Sequence, residues 1–467
     1  HGLVVEERNA VVPGTNLTRA EAAERAKVVS VQSYRVELDL TEDPRTFRAR
    51  TTVAFTAEPG TSTFIDAITA SVESVTLNRA SLDPAEVSDG ERIQLPGLAA
   101  QNELVVESTM HYMNTGEGLH RFVDPADGQV YLYSQFEVAD TRRMFPVFEQ
   151  PDLKATFQFC VTAPAEWAVV SNQPSPEPVA VSEGVARWDF SPTPVMSCYV
   201  TALIAGPYLS TRDSLVSSDG RAVDLWLYAR RSLFEHMDAE EMFEVTKQGF
   251  EFFESQFDTP YPFEKYDQLF VPQFNAGAME NAGAVTFVES YIFRSKPAQA
   301  LVERRAITVL HELAHMWFGD LVTMRWWNDL WLNESFAEYM STLACAQNTQ
   351  YTNAWTTFVA GEKSWGYAQD QLPTTHPIKA EIPDLEAVLV NFDGITYAKG
   401  ASVLKQLVAW VGQKEFMAGL KRYFDKHAWS NTELSDLMVE LEAASGRDLT
   451  DWSERWLETA GVNTLVP

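Results

Sequence analysis

His311-Glu312-Leu313-Ala314-His315 places two imidazoles and a carboxylate within one short run. In a helix, positions i and i+4 lie nearly one above the other, so His311 and His315 present their rings to the same point. Two imidazole nitrogens with one carboxylate form a common zinc ligand set that leaves a fourth position open for water. Glu312 is displaced around the helix, out of that ligand set but within reach of the water as general base. The third ligand is expected on a neighbouring element. Gly319-Asp320 is read as ending the first helix and Asp329 as capping the next, so that Glu334 in its early turns returns alongside His315. Eight His and 65 Asp+Glu in 467 residues give about 0.02 chance matches to the five-residue pattern, which leaves an ordinary core helix as the weaker reading. His111, His120, His236, His376 and His427 have no such spacing and read as structural or solvent-facing.

The elements that must position these residues fall into two parts. Up to about residue 200 the chain reads as β: Tyr34, Val36, Leu38 and Leu40 alternate with Arg35, Glu37 and Asp39, and Val53 with Phe55 and Phe157 with Phe159 and Val161 repeat the pattern. Pro174-Ser175-Pro176-Glu177-Pro178 reads as a surface turn. After about Pro207 helical patterns take over: 238–257, 304–318, 329–347, 385–411 and 414–456, with strands at 268–271 and 284–288. An N-terminal β domain followed by a mostly helical α+β domain results.

Composition bounds the function. A hydrophobic fraction of 45% supports a large core, and about 150 residues per domain gives about three units for 467 residues. The net charge of −29 argues against nucleic acid and against anionic membranes. No run approaches the roughly 20 apolar residues of a membrane span. Cys160, Cys198 and Cys345, odd in number and far apart, read as reduced thiols of a cytoplasmic protein. The start, His1 to Glu7, lacks the basic and apolar regions of a signal peptide.

Further motifs carry a resemblance. Gly277-Ala278-Met279-Glu280-Asn281 precedes the histidine motif, Trp331-Leu332-Asn333-Glu334 follows it, Ser134-Gln135-Phe136-Glu137 with Asp140-Thr141-Arg142-Arg143 lies in the β part, and Tyr397-Ala398-Lys399-Gly400-Ala401 lies downstream. In this order they closely resemble the aminopeptidase N family of gluzincin zinc aminopeptidases, over essentially the whole chain. The resemblance implies a multidomain β + α/β protein. Residues 1–207 would form an antiparallel, saddle-like β domain contributing the amine-binding segment. Residues 208–456 would form a thermolysin-like, mostly helical zinc-peptidase domain with a small mixed sheet, and 457–467 would begin a further β domain. Members usually continue into a helical domain that roofs the chamber, so a bacterial cytosolic member truncated before that domain is expected, its zinc site complete and its activity as a fragment open.

The resemblance also implies roles: one Zn2+ per chain on His311, His315 and Glu334, with Glu312 and Tyr397 catalytic. Gln135, Glu137, Gly277, Ala278, Met279, Glu280 and Asn281 would bind substrate. Each has a physical reading beside it. A buried ammonium needs carboxylates, which Glu137 and Glu280 supply. Small residues at 277 and 278 let backbone approach a peptide as an added strand. The Tyr397 hydroxyl would donate to a developing oxyanion. Glu338, one turn after Glu334, could accept from a zinc histidine's free nitrogen, with Asp320 competing for that role. Neutral Gln135 and small Ala276 favour neutral or basic first residues over acidic ones. The expected substrate is a peptide with a free N-terminus and the expected state a monomer. An epoxide-hydrolysing branch of the family and a non-catalytic scaffold are the alternatives; a scaffold would be expected to have lost ligands or the base, and all are present here.

Overall fold

The computed structural model describes residues 16–464 and Val466. The signal-peptide reading of His1 to Glu7 lies outside the described residues, as do Leu465 and Pro467 at the other end.

The alternating pattern at Tyr34, Val36 and Leu38 does bury one face of a strand, Val29–Asp39. A bulge between Val31 and Ser33 lets Val29 and Val31 point inward as well, because one extra residue restores the register that a period of two would lose. This strand is central to an eight-stranded sheet whose strands run, in space, Val179–Ser182, Val185–Asp189, Thr156–Pro164, Val29–Asp39, Thr46–Ala57, Gln101–His111, Ser71–Leu77 and Ala80–Leu82. The sheet is not wholly antiparallel. Val29–Asp39 runs parallel to Thr156–Pro164, with Tyr34 opposite Phe157 and their rings stacked at 4.8 Å. The long excursion between these strands in sequence makes the parallel crossover possible. A second sheet of four strands contains Val130–Gln135, which leads directly to Glu137, and ends in sequence with Leu203–Gly206.

The β reading of the first 200 residues misses a helix, Arg19–Val28. Thr18 and Glu21 form its capping box, and it is held by Arg25, whose buried guanidinium meets Asp66 at 2.7 Å. A helix anchored by a cation shows no apolar stripe for periodicity to find.

From Leu209 a five-stranded mixed sheet begins: Leu209–Val216, Ala222–Ala229, Lys265–Val271, Ala284–Val288 and the short edge strand Ala278–Met279. Every residue of Lys265–Val271 is buried because both faces are covered. On one face Gln268 Nε2 donates to Thr246 of the helix Ala239–Phe257; on the other Lys265 Nζ donates to the Ser171 carbonyl of the β domain. Further bonds tie the two parts together next to the site. Asn172 Nδ2 donates to the carbonyls of Val200 and Ala282 at 2.9 Å each, and Asn333 Nδ2 donates to the Tyr199 hydroxyl at 3.1 Å.

The helix carrying both histidines spans Gln299–His315, starting before Arg304 and stopping three residues short of Phe318. The chain turns back at once: the Asp320 amide bonds the His315 carbonyl at 3.1 Å, and Gly319 takes a φ of +125°. Gly319-Asp320 therefore lie past the helix end rather than at it. The next helix, Trp331–Asn348, is not capped by Asp329. A 3-10 turn, Trp327–Asp329, runs straight into it, so the backbone is already helical at Leu330 and no extended capping position exists. The Asp329 carboxylate instead accepts from Trp331 Nε1 at 3.1 Å.

The helical pattern over 385–411 resolves into Leu385–Leu389, a π-turn at Ile395–Lys399 and Gly400–Val411. The π-turn runs without interruption into Gly400–Val411, because Lys399 and Gly400 both keep helical dihedrals. A Cβ on Gly400 would collide with Ser335 Oγ, so only glycine lets this segment touch the Trp331–Asn348 helix. The 414–456 region resolves into Gln413–His427, Leu434–Ser445 and Thr450–Trp456, and the described residues beyond Trp456 form no strand. Among the described residues no helix is long and apolar enough to cross a membrane.

Candidate metal centre and active site

Helical spacing brings the two imidazoles together as expected. His311 and His315 have ring centroids 4.8 Å apart at 73°, and Glu334 Oε2 from the following helix lies 3.2 Å from His311 Nε2 and 3.3 Å from His315 Nε2. Donor atoms about 2.0–2.1 Å from a tetrahedral zinc stand about 3.3 Å from one another, so this set fits the ion. The opposite ring nitrogens are occupied. His315 Nδ1 donates to the Phe318 carbonyl at 2.9 Å, and His311 Nδ1 faces Glu338 Oε2 at 3.2 Å. Both rings are thus turned with Nε2 toward Glu334, the arrangement that outer partners impose on metal-binding histidines. Asp320, the competing partner, touches neither ring; both its oxygens are buried without a hydrogen bond.

The surroundings are rich in buried acids. Glu280, Glu312, Glu334 and Glu338 are all at most 5% exposed. The ion-pair partners of Glu280, Glu334 and Glu338 are His311 and His315, and oxygens of Glu137, Glu280, Glu312 and Glu338 are buried with no hydrogen-bond partner. Burial pushes Glu312 up to about 8 against the pull of both histidines. Burial also raises Glu137 and Glu280, with Glu280 and then Glu334 adding to the rise at Glu137. Glu334 is the exception: burial would raise it, but His315 and His311 outweigh burial and hold it at about 2. Carboxylates buried and crowded this closely call for cations. Oxygens of Glu137, Glu280 and Glu334 come within 4.8 Å of one another, as do ligand atoms of Glu280, Glu312 and His315.

Tyr397 stands on the π-turn, its ring 6.0 Å from that of His311 and 6.3 Å from that of Trp365. Burial, then Glu334 and Glu137, push its phenol well above the usual tyrosine range, so it remains a donor. A cavity of about 220 Å³ opens from His311, Glu312 and Tyr397 toward Arg304 and Trp365, with Gly277 and Ala278 on one wall.

The other predicted residues divide. Ala278 and Met279 form the edge strand, Ala278 opposite Phe287 and Met279 opposite Thr286, with the outer edge unpaired among the described residues. Asn281 braces the loop: its carbonyl accepts from Ala284 and its Nδ2 donates to Thr286 Oγ1 at 3.3 Å. Gln135 has its Oε1 buried and unpartnered, but it lies outside the cavity that Ala276 lines. Sequence reasoning missed Asn172 and also Lys154, which donates to the Asp320 and Leu321 carbonyls at 3.5 and 3.4 Å just past the histidine helix. Neither belongs to a spacing that a single sequence reveals.

Comparison with known proteins bears on the whole arrangement. The chain is 60% identical over 462 residues to Aminopeptidase N of Streptomyces lividans, covering 98% of this chain and 53% of that protein. It is 32% identical over 398 residues to the Tricorn protease-interacting factor F2 of Thermoplasma acidophilum, covering 85% of this chain and 49% of that one. With Aminopeptidase 2 of Candida albicans the identity is 34% over 363 residues. The chain thus spans about half the length of the first two of these relatives. Residues 30–200 match the peptidase M1 N-terminal domain and residues 241–456 the peptidase family M1 domain. With both parts matched in order, and the histidine helix and Glu334 inside the second, the chain belongs to peptidase family M1.

Proposed function

We propose that this chain carries the active site of a zinc aminopeptidase, releasing single amino acids from peptides with a free N-terminus. The observation that carries the reading is the meeting of Glu334 Oε2 with two Nε2 atoms beside buried, unpartnered oxygens of Glu137 and Glu280. His311, His315 and Glu334 would hold one zinc, which when bound supplies a Lewis acid for the scissile carbonyl and acidifies water.

The chain's own groups do the rest. Glu137 and Glu280, from different domains, neutralise the α-ammonium and set the register at one residue. The outer edge of Ala278–Met279 aligns the peptide backbone. Glu312 takes the proton of the attacking water and passes it to the leaving amine. The Tyr397 hydroxyl donates to the oxyanion. Gln135, Met279 and Asn281, chain neighbours of Glu137 and Glu280, complete the proposed substrate-binding set. We further propose a division at residue 207 between β and catalytic domains, with 457–467 leading into a further domain, and a monomer acting in the cytoplasm, where three buried thiols stay reduced. The complete set His311, Glu312, His315, Glu334 and Tyr397 favours catalysis over a scaffold role.

A panel of amino-acid p-nitroanilides tests the reading. Ala- and Lys-substrates are expected to be cleaved faster than Glu-, and N-acetylated Ala-p-nitroanilide not at all. Cleavage of the blocked substrate at a comparable rate would contradict an ammonium site, and hydrolysis of epoxides alone would favour the other branch.

Glu338→Ala is expected to weaken zinc retention about 10- to 100-fold, the usual cost of losing an outer partner of a metal histidine. Competition with a chelator of known affinity measures it. Unchanged retention would reduce Glu338 to a buried packing residue.

A further inference from the structure

Tyr397 sits on an unusual support. The π-turn Ile395–Lys399 opens with two amides, Ile395 and Thr396, that have no preceding helix to bond; both donate to Asp393 Oδ1 at 3.0 Å. The second oxygen, Oδ2, lies 2.8 Å from His376 Nε2, and His376 Nδ1 lies 2.6 Å from the Pro377 carbonyl. Both ring nitrogens of His376 face oxygens that can only accept, so both carry protons and the ring is a cation. Burial works against that charge, but Asp393 outweighs burial and the opposing Lys399. On its other side the turn is held by Ser335 Oγ, which donates to the Thr396 carbonyl at 2.6 Å. Ser335 adjoins Glu334, so the tyrosine turn and the metal-ligand helix share a bond.

Resting on the aminopeptidase reading, we propose that Asp393, oriented by His376, is a positioning residue that fixes the Tyr397 hydroxyl over the scissile carbonyl. Asp393 touches no reacting atom. Its carboxylate satisfies the first amides of the turn while the ion pair with His376 fixes the carboxylate itself. A turn freed from this clamp would keep its fold around Ser335 yet let the phenol wander, and small misplacements of a catalytic group are costly.

The test is a double-mutant cycle in the zinc-loaded chain with Ala-p-nitroanilide. Asp393→Ala is expected to lower kcat about 10- to 100-fold with KM changed far less. Asp393→Asn, which keeps an acceptor for both amides, is expected to restore most of the rate. In a Tyr397→Phe background Asp393→Ala should cost almost nothing more, because its effect runs through the missing hydroxyl. Amide exchange across 394–399 should quicken in Asp393→Ala and not in Asp393→Asn. An equal kcat loss in both backgrounds, or equal losses for Asn and Ala, would overturn the proposal. If Tyr397→Phe alone leaves kcat unchanged, the catalytic reading of Tyr397 fails by itself; unaltered exchange in Asp393→Ala would then overturn the clamp as well.

Discussion

Glu312→Gln is expected to keep its metal and its fold while losing turnover by about 10³-fold or more. General acid–base groups contribute about 10²- to 10⁴-fold, and Glu312 is proposed to act twice, on the attacking water and on the leaving amine. The substitution is nearly isosteric at a residue that is 5% exposed, so packing should survive. Glu312 Oε2 has no hydrogen-bond partner, so the amide breaks no bond made by that oxygen. Steady-state rates on Ala-p-nitroanilide, with metal content and melting temperature measured on the same samples, check it. A rate within tenfold of the parent would remove Glu312 from the chemistry. Loss of metal would instead move it into the ligand set, which the grouping of its carboxylate with Glu280 and His315 makes a real distinction to draw.

The centre of the site was legible in the sequence because it obeys a local rule. A spacing of four on a helix dictates that His311 and His315 share a face, and a helix–loop–helix of this length brings Glu334 back. The same reasoning failed at Asp329, where the loop is a 3-10 turn merging into the helix. Pattern reading sees one chain segment at a time. Glu137 and Tyr397 were reachable only through resemblance, since no spacing connects either to His311. Asp393, His376, Lys154 and Asn172 were invisible: their partners lie far off in sequence or on backbone atoms, and a side chain that bonds a carbonyl leaves no pattern in composition. The helix Arg19–Val28 escaped for a related reason, being held by the Arg25 to Asp66 ion pair instead of an apolar stripe.

His315→Ala is expected to abolish tight zinc binding and with it activity, and the reason is as much electrostatic as geometric. His315 is 1% exposed, pairs with both Glu280 and Glu334, and has its ring held by the Phe318 carbonyl. Removing it leaves two of three ligands and so deprives the acidic cluster of the ion that neutralises it. Metal per chain after dialysis should fall from one to near zero. A ligand present at 1,000 times its dissociation constant stabilises the fold by about 4 kcal/mol, so chelation should lower the melting temperature of the parent clearly. In the variant it should change almost nothing. An equal drop in both proteins would mean that the stabilising ion sits elsewhere, and full zinc occupancy in the variant would dismiss His315 as a ligand. Glu334→Gln provides the matching control from the neighbouring helix. It keeps volume and one oxygen but loses the charge that both Nε2 atoms face, so it should weaken zinc binding without emptying the space that His315→Ala opens. Metal loss in both variants, with cavity formation in only one, would separate ligand loss from packing loss.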